Sequence, residues 1–306
     1  KAGLKAKGAT LYVTLEPCHH FGRTPPCVDA VIKSQIKKVV IAHLDPNPLT
    51  SGKSVKKLRK AGIKVEVGVL KEECQKANEI FMKYITKKMP FVVAKSAQSL
   101  DGKIALANGA SKWITSEKSR AHARKIRDEF DAIMVGINTV LKDDPRLTGV
   151  RKDKRLKKII VDSSLKISPQ AKLFKLGPVS DCYVLTGKAG QAKIKAFREK
   201  GVNVIICPVH NGRGDLTFGF KALARMEISS VLIEGGANLI GSALKAGLVD
   251  KLQMYVAPMI VGDEKALSSI VNLTPKKLSQ AVQLKDLEIK NMGEDIFLSA
   301  YVHRNR

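Results

Sequence analysis

Short apolar runs rich in β-branched residues recur along this chain, and the stretches between them have the length and periodicity of helices. Residues 9–15, 38–43 and 63–69 read as strands, with helical segments over 27–34 and 54–61 between them. Strand, helix, strand, helix, strand requires a parallel sheet, because parallel neighbours can be joined only by a crossover. Residues 72–87 read as one helix that stops at Lys87-Lys88 before Pro90. A second alternation then begins. Strands are expected over 91–97, 132–136, 158–162, 182–186, 202–207 and 230–233, with helices over 116–130, 191–200, 218–226 and 238–246. Closing strands fall at 251–256 and 296–302. The pattern predicts an α/β protein with two domains, 1–88 and 89–306, the second a doubly wound sheet ending in antiparallel strands. The opening eight residues read as the end of a helix closed by Gly8, which sets the start of the chain inside a domain.

Composition narrows the function. Aromatics are only 5% of the chain, so the core must be built from Val, Ile, Leu and Ala. A formal charge of +26 makes a nucleic-acid binder a class to weigh. The lysines are dispersed, however, often on polar helix positions as in 54–61 and 191–200, with no basic arm interleaved with aromatics. Solvated helix faces are therefore the preferred reading, with a positive potential that suits phosphorylated small molecules. No apolar run approaches the roughly 20 residues that span a bilayer, and no charged-then-apolar leader opens the sequence, so a cytoplasmic location is expected. Of five cysteines, Cys74, Cys182 and Cys207 stand alone and read as inert packing.

Cys18 and Cys27 differ. The string Thr14-Leu15-Glu16-Pro17-Cys18-His19-His20-Phe21-Gly22-Arg23-Thr24-Pro25-Pro26-Cys27 sets one thiol after a strand and the other at a helix start. Thiolate is a good zinc ligand, and a helix N-terminus lowers a thiol pKa. The two Pro-Cys pairs resemble those of zinc nucleobase deaminases, which hold the metal with one His and two Cys and shuttle protons through a Glu two residues after that His. The whole string resembles more specifically the deaminase domain of the bifunctional riboflavin-biosynthesis family, diaminohydroxyphosphoribosylaminopyrimidine deaminase/5-amino-6-(5-phosphoribosylamino)uracil reductase. The eight residues between the cysteines, and Asp45-Pro46-Asn47-Pro48 with Ser51-Gly52-Lys53, agree with that family. The family's His-Ala-Glu lies upstream, and no His here is followed two positions later by Glu. His19, His20 and His43 are the substitute ligands to consider, although His19 and His20 belong to the family's own substrate loop. The expectation is an incomplete metal site, Cys18 and Cys27 without their third ligand, in a chain that does not deaminate although the family's full-length protein does.

Residues 91–306 carry a further set of resemblances to the same family, and this set is complete. Ser99-Leu100-Asp101-Gly102-Lys103-Ile104-Ala105 resembles a loop at the nicotinamide and substrate site. Ser111-Lys112-Trp113-Ile114-Thr115-Ser116 holds the only tryptophan, just before a helix capped by Thr115 or Ser116. Gly136-Ile137-Asn138-Thr139-Val140-Leu141-Lys142-Asp143-Asp144-Pro145-Arg146-Leu147-Thr148 and Ile233-Glu234-Gly235-Gly236-Ala237-Asn238 complete the pattern, which Asp250 and Pro258-Met259-Ile260-Val261-Gly262 extend. The resemblance implies a truncated cytidine-deaminase-like domain followed by a dihydrofolate-reductase-like domain. It assigns Ala97, Trp113, Thr139, Asp143, Gly235 and Gly236 to NADPH, and Ser111, Arg127, Leu147, Arg151 and Glu234 to a phosphorylated pyrimidine substrate. Lys103 and Glu234 are the candidates for proton or charge management. One residue, Gly149, looks inserted before Val150, so Arg146 or Lys152 is an alternative to Arg151. The implied reaction is NADPH-dependent reduction of 5-amino-6-(5-phosphoribosylamino)uracil by a protein that is at least a homodimer. The rival classes are a nucleic-acid binder, a non-catalytic scaffold with degenerate sites, and a dihydrofolate-reductase-like enzyme acting on another pterin or pyrimidine.

Overall fold

The computed structural model describes residues 2–22, 24–210 and 212–303. Lys1 and Arg23, part of the opening segment and of the cysteine loop respectively, lie outside the described residues. By contacts the chain divides into two units, Lys1–Met89 and Pro90–Arg306.

The first unit contains β1 (Thr10–Val13), α1 (Cys27–Lys33), β2 (Lys38–Ile41), α2 (Lys53–Lys60), β3 (Lys64–Val67), α3 (Lys71–Ala77) and α4 (Glu79–Lys87). β1, β2 and β3 form a parallel sheet in that order. Val28, Val55 and Leu58 from α1 and α2 pack on Val39 and Ile41 to make its core. Two expectations fail here. The opening segment is a single 3-10 turn, Gly3–Ala6, rather than a helix end, with Gly8 at φ +75° after it. The helix expected over 72–87 is broken at Asn78, whose amide Nδ2 donates to the Cys74 carbonyl at 2.9 Å. Short polar side chains that bond back to the backbone in this way favour helix ends over helix interiors.

The second unit begins with β4 (Phe91–Ser99), β5 (Lys103–Ala105), α5 (Glu117–Ile126), β6 (Ala132–Gly136), α6 (Ile137–Asp143), β7 (Lys157–Val161), β8 (Cys182–Thr186), α7 (Gln191–Glu199) and β9 (Asn203–Ile206). It continues with β10 (Val209–His210), β11 (Arg213–Gly214), α8 (Leu216–Arg225), β12 (Ser230–Glu234), α9 (Ala237–Lys245), β13 (Lys251–Ala257), β14 (Leu267–Ser268), β15 (Gln283–Met292) and β16 (Asp295–His303). Among the described residues these strands build a nine-stranded sheet ordered β15-β16-β13-β4-β12-β6-β7-β8-β9. The run from β13 to β9 is parallel, and β16 and β15 are antiparallel additions. Its inner strands are mainly apolar, as expected of a parallel sheet, and Ile133, Met134, Ile159, Ile160, Val231, Leu232 and Ile233 are buried completely. Ser116 is the cap of α5, its Oγ accepting from Ser119 N, and the helix ends at Ile126 with a 3-10 turn over Arg127–Glu129. The edge strand β15 was not expected, and neither were the small ribbons β5–β14 and β10–β11. No helix among the described residues is long and apolar enough to cross a membrane.

Candidate active site

Parallel α/β sheets offer ligands the ends of their strands where connections diverge, and there the second unit brings together Lys95, Arg127 and Glu234. Glu234 is the last residue of β12 and lies in register with Lys95 of the neighbouring β4. Arg127, just past α5, completes the cluster. Its Nε donates to Glu234 Oε1 and its Nη2 to Oε2, both at 2.7 Å, in a bidentate pair. The two side chains are only 18% and 11% exposed, so the pair is little screened. Burial by itself would raise the Glu234 carboxyl, but hydrogen bonding from Arg127 and the charges of Lys95 and Arg127 hold it below its usual range. Burial lowers the Lys95 ammonium, with Glu234 opposing that shift and Arg127 adding to it. The nitrogen of Lys95 also sits 5.6 Å from the ring centre of Tyr255, whose hydroxyl is 2.7 Å from His122 Nδ1.

Beside this cluster the chain turns from β12 into α9 through Gly235 and Gly236, at φ +75° and +80°. Only glycine adopts that conformation without strain. A Cβ on either residue would stand within 3.9 Å of Thr139 Oγ1, so the turn faces the first part of α6. Bare backbone followed by a helix start suits the phosphates of a dinucleotide, and by that test these residues fit NADPH. Ala97 is half-buried on β4 next to Tyr255 of β13. Trp113 is 65% exposed, with the Arg120 guanidinium 4.3 Å from its ring centre, and is therefore not core. Ser111 is half-buried and Asp143 exposed.

Three of the expected residues stand differently from their assigned roles. Leu147 is 3% exposed and packs in the core with Ile133 and Val140, so it can offer a substrate its backbone but not its side chain. Arg151 is paired with Asp153 at the surface. Lys103 directs its ammonium at the carbonyl of Ala266, 3.4 Å away, and the lysine beside Glu234 is Lys95. Sequence reasoning missed Lys95, for which the available signal was a lone charge inside the apolar run Phe91-Val92-Val93-Ala94-Lys95. It also missed the work of Asp101, whose carboxylate accepts from Ser99 Oγ at 2.5 Å, Val261 N at 3.0 Å and Gly262 N at 2.9 Å. These bonds, that from Ser99 foremost, pull its pKa down to about 2 and pin the 99–103 loop to the 258–262 loop.

In the first unit the Cys27 amide donates to Cys18 Sγ at 3.1 Å. The expected lowering of the Cys27 thiol does not occur. Hydrogen bonding to Cys18 and then burial push it up, outweighing the backbone hydrogen bonds at Cys18 and Cys27. His43 Nδ1 donates to the Leu44 carbonyl at 3.0 Å and its Nε2 lies 3.4 Å from Asn78 Nδ2. His20 shares a hydrogen bond with Thr50 Oγ1, and His19 Nδ1 is buried without a partner among the described residues. Glu16 is no spare acid, because its two oxygens accept from the amides of Asp45, Gly52, Ser54 and Val55. The described residues contain no group of three or more His, Cys, Asp or Glu able to hold a metal. Two thiols alone do not make a zinc site among the described residues.

The family model of the RibD C-terminal domain matches residues 90–298. The chain belongs to the RibD family. A second model, the cytidine and deoxycytidylate deaminase zinc-binding region, matches residues 1–43. The riboflavin biosynthesis protein RibD of Aquifex aeolicus is 46% identical over 97% of this chain and 82% of its own length. Among solved structures, Acinetobacter baumannii RibD superimposes with a TM-score of 0.86 at 34% identity, covering 99% of this chain and 83% of that one. The diaminohydroxyphosphoribosylaminopyrimidine deaminase/5-amino-6-(5-phosphoribosylamino)uracil reductase of Thermotoga maritima gives 0.79 at 33% identity, covering 97% and 80%. The two RibD parts are thus a deaminase-type α/β unit and a reductase-type α/β unit, in the order expected from the sequence.

Proposed function

We propose that this chain is the pyrimidine reductase of riboflavin biosynthesis, reducing 5-amino-6-(5-phosphoribosylamino)uracil to its ribityl product with NADPH. The observation that carries the reading is the Lys95, Arg127 and Glu234 cluster at the strand ends beside the Gly235-Gly236 turn. NADPH, when bound, supplies the hydride. The chain holds the cofactor through Gly235, Gly236 and Thr139, with Ala97, Trp113 and Asp143 assigned to the same ligand by the family resemblance. Glu234 has both oxygens engaged by Arg127 and acts as a fixed anion. Lys95, easier to deprotonate than a free lysine because of burial, is the group that offers N–H bonds to a substrate oxygen and can release a proton. Ser111 and Arg127 complete the substrate side, with the cations around Arg151 at its phosphate end. The reading includes a cytoplasmic location and a homodimer.

The test is NADPH oxidation, followed by its near-ultraviolet absorbance, with the deaminated ribosylaminouracil phosphate and its undeaminated precursor as paired substrates. Turnover of the first and not the second is expected. A folded sample that turns over neither and does not bind NADPH overturns the reading in favour of a scaffold with degenerate sites.

A further inference from the structure

After α5 the chain presents Arg127 and Asp128 in succession, and together they grip a single loop. Arg127 Nη1 donates to the carbonyl of Thr148 at 2.8 Å. The Asp128 carboxylate accepts from Val150 N at 3.1 Å and from Arg151 N at 3.0 Å, and Lys154 Nζ donates to the Asp128 carbonyl at 2.5 Å. Gly149 lies between these contacts. A Cβ there would come 1.8 Å from Asp128 Oδ1, far inside any real contact, so side chain and carboxylate cannot both keep their places. The residue that looked inserted in the sequence is therefore a fitted part: its missing side chain is the space that the carboxylate occupies. The loop gripped in this way carries Arg146, Arg151, Lys152, Lys154 and Arg155 within one short stretch. The other prong of the grip, Arg127, is simultaneously bound to Glu234.

We propose that Asp128 is a positioning residue of the reductase, setting through Gly149 the place of the basic loop that receives the phosphate end of the substrate. The proposal rests on the pyrimidine-reductase reading. Its physical content is that one two-residue step fixes both the anion of the site and the distance from it to the loop cations. Chain entropy would otherwise spread those cations over many arrangements. Preorganising them lowers the cost of capturing a phosphate without touching the hydride step.

Steady-state kinetics of the full chain test this with D128A, D128N, G149A and the D128A/G149A double variant. D128A and G149A are each expected to raise KM for the phosphorylated substrate about tenfold, the worth of roughly one charge-assisted hydrogen bond. Inhibition by inorganic phosphate should weaken by the same factor, while kcat and KM for NADPH stay within about twofold. The double variant should be no worse than either single one, because both break one contact. D128N, which keeps an acceptor, should recover part of the loss. A fall in kcat and NADPH affinity together with the KM change, an unchanged KM, or additive effects would each overturn the proposal. Hydrogen exchange at the Val150 and Arg151 amides separates this idea from the reductase reading. Loss of protection in D128A is expected whatever the substrate turns out to be, and unchanged protection refutes the grip itself.

Discussion

Replacing Glu234 with glutamine preserves shape and deletes one charge at the centre of the site. In the native pair both carboxylate oxygens accept from the guanidinium at 2.7 Å. Glutamine accepts one of those bonds and turns an amide NH2 toward the other nitrogen, so a donor–acceptor contact becomes donor against donor. Breaking a buried ion pair by removing one partner costs about 3–5 kcal/mol. Two features put E234Q near the lower end, about 3 kcal/mol: glutamine keeps one acceptor, and Arg127 keeps the Thr148 carbonyl. For a unit the size of Pro90–Arg306, each kcal/mol moves Tm by about 2–4 °C, so a drop of about 6–12 °C is expected. Scanning calorimetry of the full chain reads it, with E199Q as control. Glu199 is exposed and only loosely paired with Lys195 at 3.8 Å, so its loss should be barely measurable. The pH dependence has a sign. The folded pKa of Glu234 lies below the unfolded one, so its contribution is full above about pH 4.3 and is lost as pH falls through the folded value. Wild type and E234Q should therefore converge in acid. A Tm within about 2 °C of wild type at neutral pH, or a gap that does not narrow on acidification, would refute the pairing argument.

Lys158 is 4% exposed on β7, its ammonium donating to the carbonyls of Leu173 and Leu176. Burial lowers its pKa, with partial compensation from Cys182 and Asp181, so the unfolded chain binds more protons and stability rises with pH toward about 10.4. K158M should flatten that rise in urea titrations at neutral and alkaline pH; parallel curves would count against the buried-charge account. G236A meets only ordinary contacts, 3.6 Å to Leu239 Cβ and 3.8 Å to Thr139 Oγ1, but forces alanine to φ +80°. A loss of about 1–2 kcal/mol in stability is expected, with weaker NADPH binding by calorimetry; unchanged binding would remove the turn from the cofactor site. Zinc added to the chain should be stripped by a mild chelator, leaving NADPH oxidation unaltered and no deamination. Stoichiometric zinc that survives the chelator and disappears in C18S would reveal a third ligand.

The buried strands were legible because an apolar run with covering helices has few other ways to satisfy its backbone, as in residues 132–136, 158–162 and 182–186. The glycine turn was legible because strand, Gly-Gly and helix follow one another directly in the chain. Lys95 was not, since its lone charge at the end of an apolar run carries no sign of which partner it meets. Only the register of β4 with β12 brings it to Glu234. Lys103 was favoured in its place because the 99–105 string resembles the family's nicotinamide and substrate loop, yet its ammonium points at a backbone carbonyl. β15 escaped because a strand exposed along nearly its whole length carries no burial alternation to read.

The central position of β4 has a consequence for how the protein is made. Its two neighbours in the sheet are β12 and β13, and the amide of Val92 is fastened to Asp250, 158 residues later. The Arg127 and Glu234 pair closes across 107 residues. While the chain is leaving the ribosome, β4 has no sheet partner until β12 has emerged, about two-thirds of the way through the second unit, and its second partner β13 follows later still. On this topology the unit is expected to fold by a late, slow closure rather than by stepwise zippering. A nascent chain halted before β13 should remain protease-sensitive, and the Lys95, Arg127 and Glu234 cluster should come into being together with the sheet.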